Sequence, residues 1–299
     1  MLDRRGVVAS GMGLAAASAL PAGAATVTVN DVLARMRGRI GTEWREGGVD
    51  RIVAGSGDTV VTGIATTMMG TFDALKGAVA RKANLVITHE PTWWSHPDLL
   101  DGLADDPLYK VKSAYAREHN LVSFHFHDHW HQKKPVDGIH VGMAQRMGWL
   151  KYRDPAERPY GFQPSFFNLP PTTLAKLADE LRAKLGARTL RVVGDPALPA
   201  AKVMAWWGYN GGLDFLDSEA DVLVIGEAQD WDVIAYAKDQ VTSGRRKGLI
   251  VLGHIVSEQW GMKYCADWLK TFVPEVPVSF VQLAEPYWNL KNPVRDMVR

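Results

Sequence analysis

Cysteine, an excess charge of either sign and strongly apolar runs are all scarce in this 299-residue sequence. The single cysteine, Cys265, cannot form a disulfide within the chain, so the fold does not depend on oxidation. It lies in an apolar-periodic stretch and is interpreted as core packing rather than as a nucleophile. The net charge of +1 argues against nucleic-acid binding, which usually needs a strong basic excess.

The mildly apolar run at residues 6–20 is too short and too weak for a membrane span, so no membrane partner is expected. It follows Arg4 and Arg5 and precedes Ala-Gly-Ala at residues 22–24, which fits a small-x-small cleavage pattern. These features resemble a twin-arginine export signal. We therefore expect a signal peptide at residues 1–24 and a periplasmic mature protein. The alternative is an N-terminal helix of a cytoplasmic protein.

The sequence also lacks a GxSxG nucleophile elbow and a phosphate-binding P-loop, so neither type of site is predicted. Histidine is concentrated instead within residues 121–131, which read LVSFHFHDHWH. This His-rich segment holds four of the nine histidines, with Asp128 among them: His125, His127, His129 and His131. An apolar run that ends in such a cluster is typical of a strand leading into a metal site.

Two further apolar runs end in histidine and glutamate. One reads NLVITHE and ends in His89 and Glu90, and the other reads LIVLGHIVSE and supplies His254 and Glu258. A separation of four residues places His254 and Glu258 on one face of a helix. The mixture of imidazole and carboxylate ligands favours Zn, Mn, Fe or Co over Ca or Mg.

The geometry of the His-rich segment depends on where its strand ends. If the strand continues, His125, His127 and His129 line one face and Asp128 points to the opposite face. A turn after Phe126 would break this alternation. The pattern alone therefore leaves both Asp128 and His129 open as the middle ligand.

The order of apolar and helical segments predicts an α/β fold built from two successive βαβ units. In the first unit the strands end at His89-Glu90 and at the His-rich segment. In the second unit they end at Glu227 and at His254. Crossover connections make such strands parallel and place their carboxyl ends at the sheet edge where ligands gather. We expect two related α/β halves, residues 25–150 and 201–299, joined by a connecting segment at residues 151–200. The sheets should be mixed or parallel, with helices on the outside.

The segments VITHEPTWWSH, FHFHDHWH, DVLVIGE and GHIVSE resemble the Nif-three-like family, also known as GTP cyclohydrolase I type 2 homologues or dinuclear metal centre proteins. The resemblance covers about residues 55 to 285 of the chain. It implies the Nif-three-like fold and two divalent metal ions as cofactors. It also implies a homo-oligomer, in the form of a toroidal hexamer with its sites facing an inner cavity.

Within this resemblance, His89 matches the first histidine of an adjacent pair, and Glu90 stands where the family usually has the second. Either Glu90 binds the second metal, or a neighbouring histidine replaces the lost imidazole. Asp128 keeps the family's residue type in the middle position, and His129 sits one position away. The candidate metal ligands are therefore His89, Glu90, Asp128, His129, His254 and Glu258.

Two functions are compatible with these residues. The first is a metal-dependent hydrolase with a small-molecule substrate and a metal-bound water as nucleophile. Glu227, Asp128 or a non-ligating histidine would be its general acid or base, and Glu227 is taken as the catalytic candidate. The second is a non-enzymatic metal-binding scaffold, in which protein ligands fill every coordination position. Trp93 and Trp94, beside the first strand end, either wall a planar substrate or pack their loop.

Overall fold

The computed structural model describes residues 26–155, 161–210, 213 and 218–289. The predicted signal peptide at residues 1–24 lies outside these described residues. Within them, no helix combines the length and the apolar character needed to cross a membrane.

Two five-stranded sheets carry the fold of the described residues. The strands of the first sheet are β1 (Ile52–Ala54), β2 (Ile64–Met69), β3 (Leu85–Glu90), β4 (Val122–His125) and β10 (Val278–Phe280). Those of the second are β5 (Ser165–Asn168), β6 (Arg191–Val193), β7 (Lys202–Tyr209), β8 (Val222–Glu227) and β9 (Gly248–Val251). The spatial orders are β1-β4-β3-β2-β10 and β5-β7-β8-β9-β6.

The α-helices of the described residues are α1 (Val29–Arg39), α2 (Phe72–Ala80), α3 (Pro107–Glu118), α4 (Asp128–His131), α5 (Gly138–Met147), α6 (Leu174–Leu185), α7 (Ala235–Thr242) and α8 (His254–Lys270). A 3₁₀ turn spans Leu150–Tyr152, and a π-helical segment, Asp230–Ile234, precedes α7. Several boundaries follow local capping. The Asp106 side chain, for example, accepts a hydrogen bond from the Tyr109 N–H at the start of α3, which has proline at its first position.

Both sheets are mixed, with a parallel centre. Strands β10, β2, β3 and β4 run parallel, and β1 pairs antiparallel at the edge. In the second sheet β7, β8 and β9 run parallel between the antiparallel strands β5 and β6. All six residues of β3 and five of the six in β8 are buried, which explains their unbroken apolar runs. The predicted α/β class is confirmed.

Helix α8 is shared by the two sheets. It packs against β2 and β10 of the first sheet, against β7 and β8 of the second, and alongside α5. Close approach to α5 requires glycine, because a Cβ on Gly142 would lie 2.3 Å from the Trp260 carbonyl oxygen. Helix α8 therefore lies between the sheets rather than outside them. Since it begins directly after β9, its first turn stands at the carboxyl ends of the strands.

The division of the chain between the sheets differs from a simple split along the sequence. Residues 151–200, expected to be a connection, contribute β5, α6 and β6 to the second half. Strand β10, near the end of the chain, pairs in parallel with β2 of the first sheet. The C-terminal part therefore ties the two halves together.

Candidate metal centre

Six ionisable side chains converge where the strand ends of the two sheets meet. Strand β3 supplies two of them, the segment after β4 supplies two, and the first turn of α8 supplies two. These six residues, called the cluster below, are His89, Glu90, His127, His131, His254 and Glu258.

The distances within the cluster suit ligands of shared ions. The Nε2 atom of His254 lies 3.0 Å from Oε2 of Glu258 and 3.3 Å from Oε1 of Glu90. Nε2 of His89 lies 3.6 Å from Glu258 Oε2. Nε2 of His127 lies 3.7 Å from Glu90 Oε1. Ligand atoms bound to one ion by bonds of about 2 Å are themselves about 3–4 Å apart.

Every histidine of the cluster is held through Nδ1, so that Nε2 faces the other ligands. A metal-binding histidine commonly has its second ring nitrogen on a carboxylate or a carbonyl oxygen, which fixes the tautomer and the ring orientation. The four Nδ1 contacts are His131 to Asp137 at 2.7 Å, His127 to Asp128 at 2.8 Å, His254 to Glu227 at 2.9 Å and His89 to the Phe126 carbonyl at 3.4 Å.

Two buried atoms show that the residues fit a cation. His89 Nε2 makes no hydrogen bond among the described residues, and Glu258 Oε2 makes none of good geometry, although it lies 3.0 Å from His254 Nε2. Leaving a buried polar group unpaired costs about 1–3 kcal/mol, and more when the group is charged. Both atoms face the same space, and a divalent ion bound there would satisfy both of them.

The residues of the cluster differ in the protonation state that their surroundings favour. Burial favours the neutral acid form of Glu258, but His89 and His254 outweigh burial and hold the pKa of this carboxyl well below its usual range. At His127 burial dominates and lowers the pKa to about 4. At His254 burial lowers the pKa, but Glu258 and Glu227 outweigh burial and raise it well above its usual value. Near neutral pH Glu258 is therefore ionised and His127 is neutral, which are forms that bind metals, whereas a metal ion at His254 has to displace a proton.

Asp137 anchors the cluster on the side of the first sheet. It caps α5 by accepting hydrogen bonds from the N–H groups of Ile139 and His140, and its other oxygen holds His131. Burial opposes the charged form of His131, but Asp137 outweighs burial and raises the pKa of His131 to about 9. The buried carboxylate of Asp137 thus connects the start of α5 to His131.

The His-rich segment does not continue as a strand. Strand β4 ends at His125, and the helical turn α4 begins at Asp128. His127 and His131 are four residues apart, and both face the cluster across this turn. Neither was among the predicted ligands. Their four-residue spacing, the same as that of His254 and Glu258, was the signal in the sequence that could have identified them.

The turn is imposed by a distant residue, Asp50. Its carboxylate accepts hydrogen bonds from the backbone N–H groups of His127, Asp128 and His129 at 2.7, 2.9 and 2.8 Å. Three successive donors directed at one carboxylate require the chain to curl. The strand alternation considered for this segment is therefore wrong.

His129 lies on the side of the turn that faces away from the cluster. Its Nδ1 is 2.6 Å from Asp50 Oδ2, and its Nε2 accepts a hydrogen bond from the Arg45 N–H at 2.9 Å. The ring stacks on Trp44 with centroids 3.9 Å apart. Because both ring nitrogens are engaged, the structure does not support His129 as a metal ligand.

Asp128 lies behind the cluster rather than within it. Its Oδ1 contacts His127 Nδ1 at 2.8 Å, so in this structure it orients a candidate ligand. Glu227 at the end of β8 stands in the same relation to His254. The Glu227 side chain, however, is 46% exposed and lines the cavity in front of the cluster.

The cluster forms one wall of a cavity of about 590 Å³, a size that suits a small molecule. The other walls are largely apolar and aromatic: Met69, Trp94, Phe162, Trp206, Trp207 and Tyr209. The two neighbouring tryptophans differ in role. Trp94 lines the cavity, whereas Trp93 is buried in its loop and donates its indole N–H to the Val53 carbonyl.

Residues 34–286 match the family model for Duf34/NIF3 (NGG1p interacting factor 3). Among solved structures, a Bacillus cereus protein related to NIF3 has a TM-score of 0.69 at 14% identity, over 89% of this chain and 100% of that one. A hypothetical protein of Staphylococcus aureus has a TM-score of 0.65 at 16% identity, over 89% and 100%. Reduced HcgD from Methanocaldococcus jannaschii has a TM-score of 0.62 at 13% identity, over 86% and 99%. These likenesses show the fold. No curated protein matches the chain in sequence.

Proposed function

Because the chain belongs to the DUF34/NIF3 family, we propose that its cluster binds two divalent metal ions and that the protein is a metal-dependent hydrolase of small molecules. The observation that carries this proposal is the convergence of four Nε2 atoms and two carboxylates on one space, with each imidazole held from behind. The ions would be Zn, Mn, Fe or Co, given these ligand types.

The ligands fall into overlapping sets, as two neighbouring ions need. His89 groups with His127 and His131, and it also groups with Glu90 and Glu258, with ligand atoms within 4.8 Å in each set. His254 lies within 3.3 Å of both carboxylates. Glu90, in the position where a second histidine was expected, contributes an oxygen ligand.

Two bound ions would lower the pKa of a water molecule and stabilise the entering and leaving oxygens of a displacement. The chain itself supplies the proton transfer. Glu227, at the cavity wall, is placed to accept the proton of an attacking water and to return it to the leaving group. The water oxygen bonds to the electrophilic centre, and the bond to the leaving group breaks. The aromatic walls exclude other water and hold the apolar part of the substrate.

The cavity favours a hydrolase over a scaffold. Five cluster residues line it: Glu90, His127, His131, His254 and Glu258. Ligands that border an open space leave a coordination position that a substrate can reach, whereas a structural metal is normally enclosed by protein ligands.

Metal analysis combined with substrate screening tests the proposal. The mature protein should bind two equivalents of metal and hydrolyse at least one member of a panel of small phosphate esters, carboxylic esters, amides and cyclic amidines. Glu258→Gln should lose metal and turnover, while Glu118→Gln on the surface of α3 should retain both. A protein that binds two ions without any turnover would favour the scaffold. A protein that binds none would refute the whole proposal.

We further propose that the protein is a homo-oligomer, as the family resemblance implies. Trp231 and Tyr287 are large side chains with 77% and 61% exposure, and they offer apolar surface for contact between copies. Light scattering should give a mass well above the 33.0 kDa of one chain, and about six times that mass for a hexamer. A monomer at micromolar concentration would contradict this part.

Export is the last part of the proposal. If Arg4 and Arg5 belong to a twin-arginine signal, replacing both with lysine should retain the protein in the cytoplasm. Cell fractionation measures this directly. A doubly substituted protein that still reaches the periplasm at the wild-type level would refute the twin-arginine interpretation.

A further inference from the structure

One histidine outside the cluster, His96, also approaches its carboxylates. It lies in the loop of residues 91–106 between β3 and α3, and its Nδ1 is 3.6 Å from Oε2 of Glu90. Its ring centroid is 4.8 Å from that of His127. One ligand atom from each of Glu90, His96 and His127 lies within 4.8 Å of the other two. The loop therefore brings a third donor to one side of the cluster.

The loop is held in place by a buried anchor two residues after His96. The side chain of Asp98 accepts hydrogen bonds from the N–H groups of Thr92 and Trp93 at 2.8 and 2.6 Å, and its second oxygen lies 2.9 Å from Nδ1 of buried His125. The Arg51 guanidinium donates to the Pro97 carbonyl. These contacts fix the loop on both sides of His96, so its position over the end of β3 is built into the fold.

His96 itself remains accessible. Its side chain is 51% exposed and lines the cavity, whereas the anchor Asp98 has no exposed side-chain surface. Asp98 thus holds the half-exposed imidazole of His96 next to the ionised carboxylate of Glu90. In this position His96 can complete an ion site from the side of the cavity. The contacts of Glu90 with His96 and His127, at 3.6 and 3.7 Å, already match the separation of atoms bound to one ion.

We propose that His96 is a metal ligand and that Glu90, His96 and His127 hold the second ion of this chain. Two imidazoles and one carboxylate form a set that binds divalent Fe, Co or Zn and leaves further positions open to the cavity. His96 would then supply the imidazole that is missing where Glu90 stands. The inference rests on the proposed function only in requiring that the cluster binds metal.

The competing explanation is that His96 merely pairs with Glu90 as a structural contact. His96→Gln separates the two explanations, because the amide can still donate a hydrogen bond to the carboxylate but is a poor ligand for these ions. His119→Gln is the matched control, since His119 lies at the end of α3 and contacts Tyr115 outside the cavity. Circular dichroism of both variants should show the wild-type fold.

Titration with Co²⁺ measures the effect. We expect two equivalents to bind to the wild type and to His119→Gln. In His96→Gln the first equivalent should bind unchanged, while the second weakens by more than about 100-fold, since loss of a supporting outer ligand alone costs about 10–100-fold. Equal binding of both equivalents to His96→Gln would overturn the inference and leave the proposed function standing. Absence of Co²⁺ binding by the wild type would overturn both.

A second variant reports direct contact. In His96→Cys loaded with two equivalents of Co²⁺, a thiolate ligand should produce a sulfur-to-cobalt charge-transfer band in the near ultraviolet. The natural Cys265 is fully buried in the core and makes no background. His119→Cys should show no band. If His96→Cys also shows none, residue 96 does not reach the ion and the inference is wrong.

Discussion

The two sheets contribute to the cluster in different ways. The first sheet provides four residues of the cluster from two separate segments: His89, Glu90, His127 and His131. The second half provides His254 and Glu258 from a single turn of α8. His254 and Glu258 are aligned by the helix that carries both of them, whereas the other four residues depend on strand pairing and on the turn that Asp50 imposes. The four residues from the first sheet are therefore more sensitive to changes elsewhere in the fold.

The residues that orient the ligands differ as well. On the side of the first sheet, Asp137 has no exposed side-chain surface and holds His131 from within the core. On the side of the second, Glu227 is half exposed at the cavity and holds His254. The first side would thus support bound metals, and the second also faces the space where a substrate would bind.

The largest expected loss of metal binding comes from removing the two cluster residues on α8. His254→Ala with Glu258→Ala should abolish most metal binding and leave a folded α/β protein, because the central strands bury apolar side chains without help from the metal. Metal analysis and circular dichroism measure the two outcomes. Lys263→Ala with Asp267→Ala removes another pair four residues apart on α8 and should retain the metal. An unfolded His254/Glu258 variant would make the metals structural.

The next effect separates two histidines of the same turn. His131→Gln should weaken metal binding by more than about 100-fold, because it removes a direct ligand. His129→Gln should leave metal binding intact and lower the free energy of unfolding by about 1–3 kcal/mol, because it disturbs the buried contacts with Asp50 and Trp44. Calorimetric metal titration and urea unfolding decide between them. Equal loss of metal binding in both variants would indicate that His129 is a metal ligand after all.

A smaller effect compares the two orienting carboxylates. Asp137→Asn should reduce metal affinity by about 10–100-fold, and Glu227→Gln should lie at the lower end of this range because water can replace a half-exposed group. Asparagine also preserves the cap of α5. Competition with a metal chelator gives both affinities. A larger loss in Glu227→Gln than in Asp137→Asn would contradict the proposed difference between the two sides.

The smallest expected loss of metal binding tests how Gly208 positions the Glu258 carboxylate. A Cβ on Gly208 would lie 2.4 Å from Glu258 Oε1, and Gly208 has a φ of +85°. Gly208→Ala should displace the carboxylate and weaken metal binding by about tenfold, or roughly 1.4 kcal/mol. Gly186→Ala is the control, because its φ is +76° but no atom lies within 4 Å of the new Cβ. Backbone strain should lower the free energy of unfolding of both variants by about 1–2 kcal/mol. Only Gly208→Ala should also lose metal affinity.

The sequence alone determined those features that depend on neighbouring residues. Unbroken apolar runs identified the buried strands β3 and β8 and hence the α/β class, which the structure confirms. Asp106 before Pro107 is a local start signal, and α3 begins there with Asp106 as its cap. The spacing of His254 and Glu258 predicted that they share a helix face, and the structure places them together. Capping, periodicity and helical spacing all act within a few residues, so they can be read without knowledge of the fold.

Tertiary structure decided which residues of the His-rich segment face the cluster. Asp50 lies 77 residues before His127, and its carboxylate converts the end of β4 into a turn. That turn directs His127 and His131 inward and His129 outward, and it moves Asp128 behind a ligand. The position of His96 depends in the same way on the contact between Asp98 and His125. A local pattern carries no information about such partners, because each contact forms only when distant segments have packed together.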